Sequence, residues 1–229
     1  MIDIILSDRT YENDIYPLVK AFYPDETIKV YSREIYQKSG LKEAEPFIEL
    51  EIDFLSDRVG VNLKRDGEAK ICRQLEIGET EPKAAYKNAV KRFLYGILTE
   101  ICGRELPWGI LTGIRPTKLV YEMLQAGADE AGIYERMRNE YLCSDNKIAI
   151  SIEIASRELK LLTEMDYRNG YSLYIGIPFC PTTCLYCSFT SYPVSRFSYL
   201  VEDYLSALEK EIKYAAGCFP DRKLTTVYF

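Results

Sequence analysis

Three consecutive stretches, between residues 47 and 77, alternate apolar and polar side chains so regularly that a pleated sheet with one wet face is their natural home. Ile48, Leu50, Ile52 and Phe54 alternate with Glu49, Glu51 and Asp53. Successive side chains of an extended chain point to opposite faces, so residues 47–55 read as a half-buried strand. Residues 58–64 repeat the pattern through Val59, Val61 and Leu63. Asp66-Gly67 then supplies the residue pair that a tight hairpin favours. Residues 68–77 return with Ala69, Ile71, Leu75 and Ile77 on one face. The expected arrangement is an antiparallel meander.

Around it, residues 2–6 read as a short apolar strand. Residues 11–22 read as a helix ended by Pro24, and 27–36 as extended chain with Ile28 and Val30 on one face. Residues 81–103 form a helix, with Pro82 in its first turn and Val90, Phe93, Leu94, Ile97 and Ile101 at helical spacing. Lys83, Lys87 and Lys91 line another face and read as a solvated stripe. Residues 1–105 are thus an α+β N-terminal domain.

Leu106-Pro-Trp-Gly109 breaks the chain, with Trp108 read as domain-interface packing. Helices follow over 116–126, 129–142 and 145–165. Pro116 opens the first and Gly127 closes it, while Ser144 is placed to cap the third. Residues 106–168 form a helical connector. Arg115 precedes the first of these helices. A structural turn explains it better than a grip on a phosphate or propionate, because glycine and proline already account for a turn there.

Residues 171–177 form a strand, 178–195 a loop, 199–216 an amphipathic helix, and 224–229 the start of another strand. Leu200, Tyr204, Leu205, Leu208, Ile212 and Ala215 lie on the helix's apolar side. Strand, loop, helix, strand is a βαβ unit, which implies parallel pairing.

Composition excludes several functions. The chain has 229 residues, a net charge of -6 and no histidine. Imidazole ligands and imidazole acid–base catalysis are absent from it. No basic footprint for nucleic acid appears. The N-terminus lacks a basic leader followed by an apolar core, and no apolar run approaches a membrane span, so a cytoplasmic protein is expected. Nineteen tyrosines are spread along the chain and are read as core and interface residues.

Seven cysteines are present. Cys72, Cys102, Cys143 and Cys218 are scattered singly and read as small buried hydrophobes. Cys180, Cys184 and Cys187 instead follow the 171–177 strand with spacing C-x3-C-x2-C. Four readings compete. A helix face would align offsets of zero, four and seven, but Pro178 and Pro181 oppose a helix there. Structural zinc wants a fourth ligand, and none follows at suitable spacing. A dithiol at Cys184 and Cys187 leaves Cys180 idle. A [4Fe-4S] cluster with three protein ligands uses all three thiols and leaves one iron open. Phe179, Leu185, Tyr186 and Phe189 would then surround the metal with apolar bulk.

The trio, with an aromatic residue before its last cysteine, resembles the signature of radical S-adenosylmethionine (SAM) enzymes. The run Tyr174-Ile-Gly-Ile-Pro-Phe-Cys180 resembles the opening of the oxygen-independent coproporphyrinogen III oxidase group. Cys184-Leu-Tyr-Cys-Ser-Phe-Thr-Ser-Tyr-Pro193 and Pro107-Trp-Gly-Ile-Leu-Thr-Gly-Ile-Arg-Pro-Thr-Lys118 are similar to its HemZ-type coproporphyrinogen dehydrogenase branch.

This resemblance implies that Cys180, Cys184 and Cys187 ligate a [4Fe-4S] cluster, with SAM on the fourth iron. It implies that Tyr174 and Tyr186 lie against SAM. It implies oxidative decarboxylation of a tetrapyrrole, coproporphyrinogen III, in haem biosynthesis, with a low-potential donor such as flavodoxin or ferredoxin. Residues 169–229 would begin a partial (β/α) barrel, and the chain would be the N-terminal part of a longer enzyme, inactive alone. The family's usual further cysteine falls at Phe189, and its usual histidine at Gly176. Haem-chaperone relatives also lack that cysteine. A haem chaperone, or a radical SAM enzyme with another substrate, is the alternative reading.

Overall fold

The computed structural model describes residues 1–39, 46–77, 82–165 and 169–229. Residue 81 of the expected helix and residues 166–168 of the expected connector lie outside the described residues. The chain divides into two compact units, Met1–Arg157 and Glu158–Phe229.

The first unit is built on a five-stranded sheet. Its strands are β1 (Ile2–Leu6), β2 (Ile28–Ser32), β3 (Ile48–Phe54), β4 (Arg58–Arg65) and β5 (Glu68–Glu76), in the order β2-β1-β3-β4-β5. β1 is buried along its whole length and runs parallel to both neighbours, with Ile4 opposite Val30 and Leu50. A strand enclosed on both faces reads as a continuous apolar run, which is what Ile2–Leu6 offers apart from the buried Asp3. Helix α1 (Glu12–Phe22) carries the chain from β1 to β2 and buries Ile15, Leu18, Val19 and Phe22.

β3, β4 and β5 pair antiparallel in chain order, with Leu50 opposite Leu63 and Ile52 opposite Val61. Asp66 and Gly67 adopt φ values of 52° and 78°, the two left-handed residues of a type I′ hairpin. Ala69 departs from the expected face. The register shifts at Leu63/Lys64, setting Ala69 opposite Lys64 while Ile71 stays opposite Leu63. The bulge turns Ala69 away from the core side.

Residues 33–36 are helical, not extended. β2 ends at Ser32 and α2 (Arg33–Ser39) begins at once. The cause lies on the polar side of β3. The Arg33 guanidinium donates to Glu51 at 2.7 Å and Asp53 at 2.5 Å, and the Tyr36 hydroxyl donates to Glu49 at 2.6 Å. Turning into a helix carries Arg33 and Tyr36 to this row of carboxylates.

Helix α3 (Lys83–Cys102) buries Tyr86, Val90, Leu94, Tyr95, Ile97 and Leu98. Its lysine stripe is not simply solvated. Lys87 donates to Asp14 of α1 at 2.6 Å. Lys91 is half-buried, and burial holds its ammonium below the ordinary lysine pKa. Asp14 opposes that shift and Lys87 adds to it. Packing of α3 on α1 takes these side chains out of bulk water.

Helices α4 (Pro116–Gln125), α5 (Glu130–Asn139) and α6 (Asp145–Glu164) follow. Val120, Ile133, Met137, Ile148 and Ala155 belong to the same buried cluster as the sheet. Asp129 caps α5 by accepting from the Gly132 N–H at 2.9 Å. Ser144 stands at the start of α6, where its carbonyl accepts from the Ile148 N–H. Its hydroxyl donates to the Pro107 carbonyl at 3.1 Å. Trp108 packs against the core, with the Lys147 ammonium 5.2 Å from its ring centre. Arg115 precedes α4 and donates to the Thr117 hydroxyl at 3.1 Å.

The second unit contains β6 (Tyr171–Tyr174) and β9 (Leu224–Tyr228), which pair parallel, with helix α8 (Val201–Cys218) between them in sequence. The expected loop 178–195 holds a two-residue parallel ladder of β7 (Phe179–Cys180) and β8 (Tyr192–Pro193), then the short helix α7 (Val194–Phe197). The apolar side of α8 is only partly covered. Tyr204, Leu208, Ile212 and Ala215 are half-buried, whereas Leu200 and Leu205 are exposed. A two-stranded sheet is too narrow to cover a helix of this length. Among the described residues, no helix is long and apolar enough to cross a membrane.

Candidate metal centre

The three clustered cysteines sit on the connection between β6 and α8. Cys180 ends β7, opposite Pro193 of β8. The Tyr192 N–H donates to the Pro178 carbonyl at 2.7 Å and closes the neck of the loop. Pro178 has no N–H of its own but a free carbonyl, so the clasp costs no unpaired donor. Farther out, the Cys187 N–H donates to the Cys184 carbonyl at 3.1 Å, the bond that closes a β-turn. The Thr183 and Ser191 hydroxyls meet across the loop at 3.5 Å.

Cys180 and Cys187 are half-buried and Cys184 is exposed. Among the described residues, no three Cys, Asp or Glu side chains stand close enough together to hold a metal ion. The backbone therefore brings Cys184 and Cys187 into one turn and Cys180 to the neck, without gathering the three sulfurs. The donor chemistry itself is selective. Residues 178–193 contain three thiols and no carboxylate or imidazole. That set suits an iron–sulfur cluster or zinc, and offers nothing to magnesium or calcium.

Tyr174 lies at the end of β6, 67% exposed, and stacks on its register partner Tyr228 with ring centres 5.3 Å apart and planes within 10°. Tyr186 sits in the Cys184–Cys187 turn and is 91% exposed. The structure does not bring Tyr174 and Tyr186 into contact with each other. The expected apolar surround forms only in part. Leu185, Tyr186 and Phe189 are exposed. Only Phe179 packs, with its ring centre 6.4 Å from Tyr192 and 5.3 Å from Tyr204. The reason is position: Phe179 belongs to a ladder, whereas the other three ride on the outer loop.

The lone cysteines separate from the trio. Cys143 is buried, donates to the Trp108 carbonyl at 3.4 Å, and has its thiol pKa pushed up to about 11 by burial. A thiol so reluctant to ionise is a packing residue. Cys102 is half-buried. Cys72 and Cys218 are exposed, against expectation. Cys72 lies opposite Asn62, on the side of β4 away from Val61 and Leu63, and Cys218 is the last residue of α8.

Two residues near the trio escaped the sequence reading. Tyr192 clasps the loop neck, and Tyr204 of α8 donates its hydroxyl hydrogen to the Gly176 carbonyl. Tyr204 reads as one apolar position in a helical stripe. A tyrosine there, where leucine would serve, is the available signal that a polar partner lies nearby.

No family model matches the chain, and no solved structure matches it. The chain is similar to the oxygen-independent coproporphyrinogen-III oxidase-like protein HemZ of Bacillus subtilis (strain 168). The two are 36% identical over 158 residues, which is 67% of this chain and 31% of that protein. It is also similar to the oxygen-independent coproporphyrinogen III oxidase of Salmonella typhimurium, with 38% identity over 58 residues, or 25% of this chain and 12% of that protein. The oxygen-independent coproporphyrinogen III oxidase of Mannheimia haemolytica is 40% identical over 58 residues, or 25% of this chain and 39% of that protein. The chain thus spans about a third of the length of the first of these relatives. The matched part of the chain belongs with the HemZ-like group of oxygen-independent coproporphyrinogen-III oxidase-like proteins.

Proposed function

We propose that this chain carries the cluster-binding segment of a radical SAM oxidoreductase, with residues 169–229 forming the first βαβ unit of a partial (β/α) barrel. Cys180, Cys184 and Cys187 are the residues that would hold a [4Fe-4S] cluster. When bound, such a cluster supplies one electron to the sulfonium of SAM, whose cleavage initiates hydrogen abstraction from a substrate. The chain's own residues bind and orient. The three thiols lose their protons on ligation. The Pro178–Tyr192 clasp fixes where the loop begins and ends. Tyr174, steadied by its stack on Tyr228, presents a phenol at the C-terminal end of β6. That end of a parallel strand is where βα-barrel proteins place their chemistry.

The observation that carries this reading is a loop of three thiols, with no hard donor, directly after a strand of a parallel βαβ unit. The relatives named as oxygen-independent coproporphyrinogen III oxidases support an oxidase function in haem biosynthesis, and oxidative decarboxylation of coproporphyrinogen III is the reaction proposed. A tetrapyrrole substrate, a low-potential donor such as flavodoxin or ferredoxin, and a cytoplasmic setting belong to the same proposal. Phe189, at the position of the family's further cysteine, favours a second reading: a haem chaperone that keeps the cluster without oxidising porphyrinogen.

The test is anaerobic reconstitution of the full-length protein. About four irons with matching sulfide, and 5′-deoxyadenosine released from SAM on reduction, support the proposal. One zinc per chain, or iron without SAM cleavage, ends it. Haem transfer without decarboxylation selects the chaperone.

A further inference from the structure

We propose that Tyr204 is a positioning residue for the cysteine loop, acting on Gly176 and Phe179 and through them on Cys180. The inference rests on the reading of the three cysteines as cluster ligands, but concerns a residue outside that trio.

The Tyr204 hydroxyl donates to the Gly176 carbonyl, across a sequence separation of 28 residues. The same ring meets Phe179 edge-on, with centres 5.3 Å apart and planes at 77°. Phe179 is the residue immediately before Cys180. Its register partner Tyr192 packs in turn against Phe197, edge-on at 5.1 Å. The rings of Phe197, Tyr192, Phe179 and Tyr204 therefore form one chain. It links the C-terminal side of the loop, the entry to Cys180, and the long helix α8.

Gly176 has no side chain with which to anchor itself. It lies after β6 ends and before β7 begins, so its carbonyl belongs to no ladder. Without Tyr204 this stretch is free to swing, and the position of Cys180 swings with it. Tyrosine combines both contacts, whereas phenylalanine keeps the ring edge and loses the donor, and leucine loses both. Edge-on aromatic pairs and single neutral hydrogen bonds each contribute on the order of 1 kcal/mol, about a five-fold effect on a local opening equilibrium.

The experiment compares the full-length wild type with Tyr204→Phe and Tyr204→Leu. In metal-free protein, iodoacetamide labelling of each cysteine is followed by mass spectrometry, and hydrogen exchange is followed at the Tyr192 amide. Tyr204→Phe should raise Cys180 labelling about five-fold, with Cys184 and the melting temperature unchanged. Tyr204→Leu should raise it more than ten-fold and deprotect the Tyr192 amide. After anaerobic reconstitution, iron loss to a chelator should accelerate in the same order. Identical Cys180 labelling in wild type and Tyr204→Phe overturns the inference. So does a uniform rise that includes buried Cys143, which marks general loosening. If the wild type takes up no iron, the cluster reading fails, while the labelling still decides the role of Tyr204.

Discussion

Gly109 lies so close to the turn at Tyr141 that a Cβ on it would stand 2.0 Å from the Tyr141 carbonyl oxygen and 2.4 Å from that of Leu142. Its φ of +54° is also left-handed, and Leu142 shares that conformation at φ 59°. The Ile110 N–H donates to the same Tyr141 carbonyl at 2.9 Å. Two turns remote in sequence are thus locked face to face, and the lock works only with glycine. Gly109→Ala should cost about 3 kcal/mol or more, because clash and φ strain act together and backbone cannot yield as a side chain would. A urea-unfolding midpoint close to wild type contradicts this packing.

Arg33 neutralises two carboxylates at once. Arg33→Ala should destabilise by about 1–2 kcal/mol at neutral pH, since Glu51 and Asp53 are then left side by side. Thermal melts of wild type and variant at neutral pH provide the check: equal melting temperatures contradict it.

Lys91 supplies a stability change that depends on pH. Its folded pKa lies below the ordinary lysine value of 10.5, chiefly because burial disfavours the charged form. Below the folded pKa the ammonium is charged in both states and its burial penalty is fully present. As pH rises from the folded value toward 10.5, the folded protein sheds its proton first and gains stability relative to the unfolded chain. Lys91→Met should stabilise by about 1 kcal/mol at neutral pH and abolish this rise. The difference between wild-type and variant melting temperatures across that window isolates Lys91 from cysteines and tyrosines that titrate nearby.

The cysteines should divide cleanly. On the proposed cluster reading, replacing Cys180, Cys184 or Cys187 by alanine should remove most bound iron and reduce SAM cleavage by about 100-fold or more. Cys143→Ala should leave iron content unchanged and cost stability alone, about 1–2 kcal/mol for a buried thiol. Iron retained in full after loss of any one of the trio would contradict the ligand assignment.

Local pattern explains what was legible. The alternation through Ile48–Phe54 and Val59–Leu63, with Asp66-Gly67 between strands, contains its own pairing rule, so β3–β5 could be read directly. The placement of β1 between β2 and β3 could not, because parallel partners are chosen by burial of the whole sheet. Ile28–Ser32 reads as strand with no breaker after it. α2 starts there because carboxylates some 18 to 20 residues downstream hold Arg33. The lysine stripe failed for the same reason: Asp14 is 73 residues from Lys87. At the site, the trio is visible because its spacing is contiguous. Tyr204 is not, because a helical position reveals nothing about a carbonyl 28 residues upstream.

The clasp from Tyr192 to Pro178 makes the cysteine segment a closed ring of backbone rather than an open strand. A ring has already surrendered much of the wandering that an untied tether would lose on capturing iron. If the trio holds the proposed cluster, its assembly is a short-range search among sulfurs tied to one ring, and its speed should depend more on metal supply than on folding.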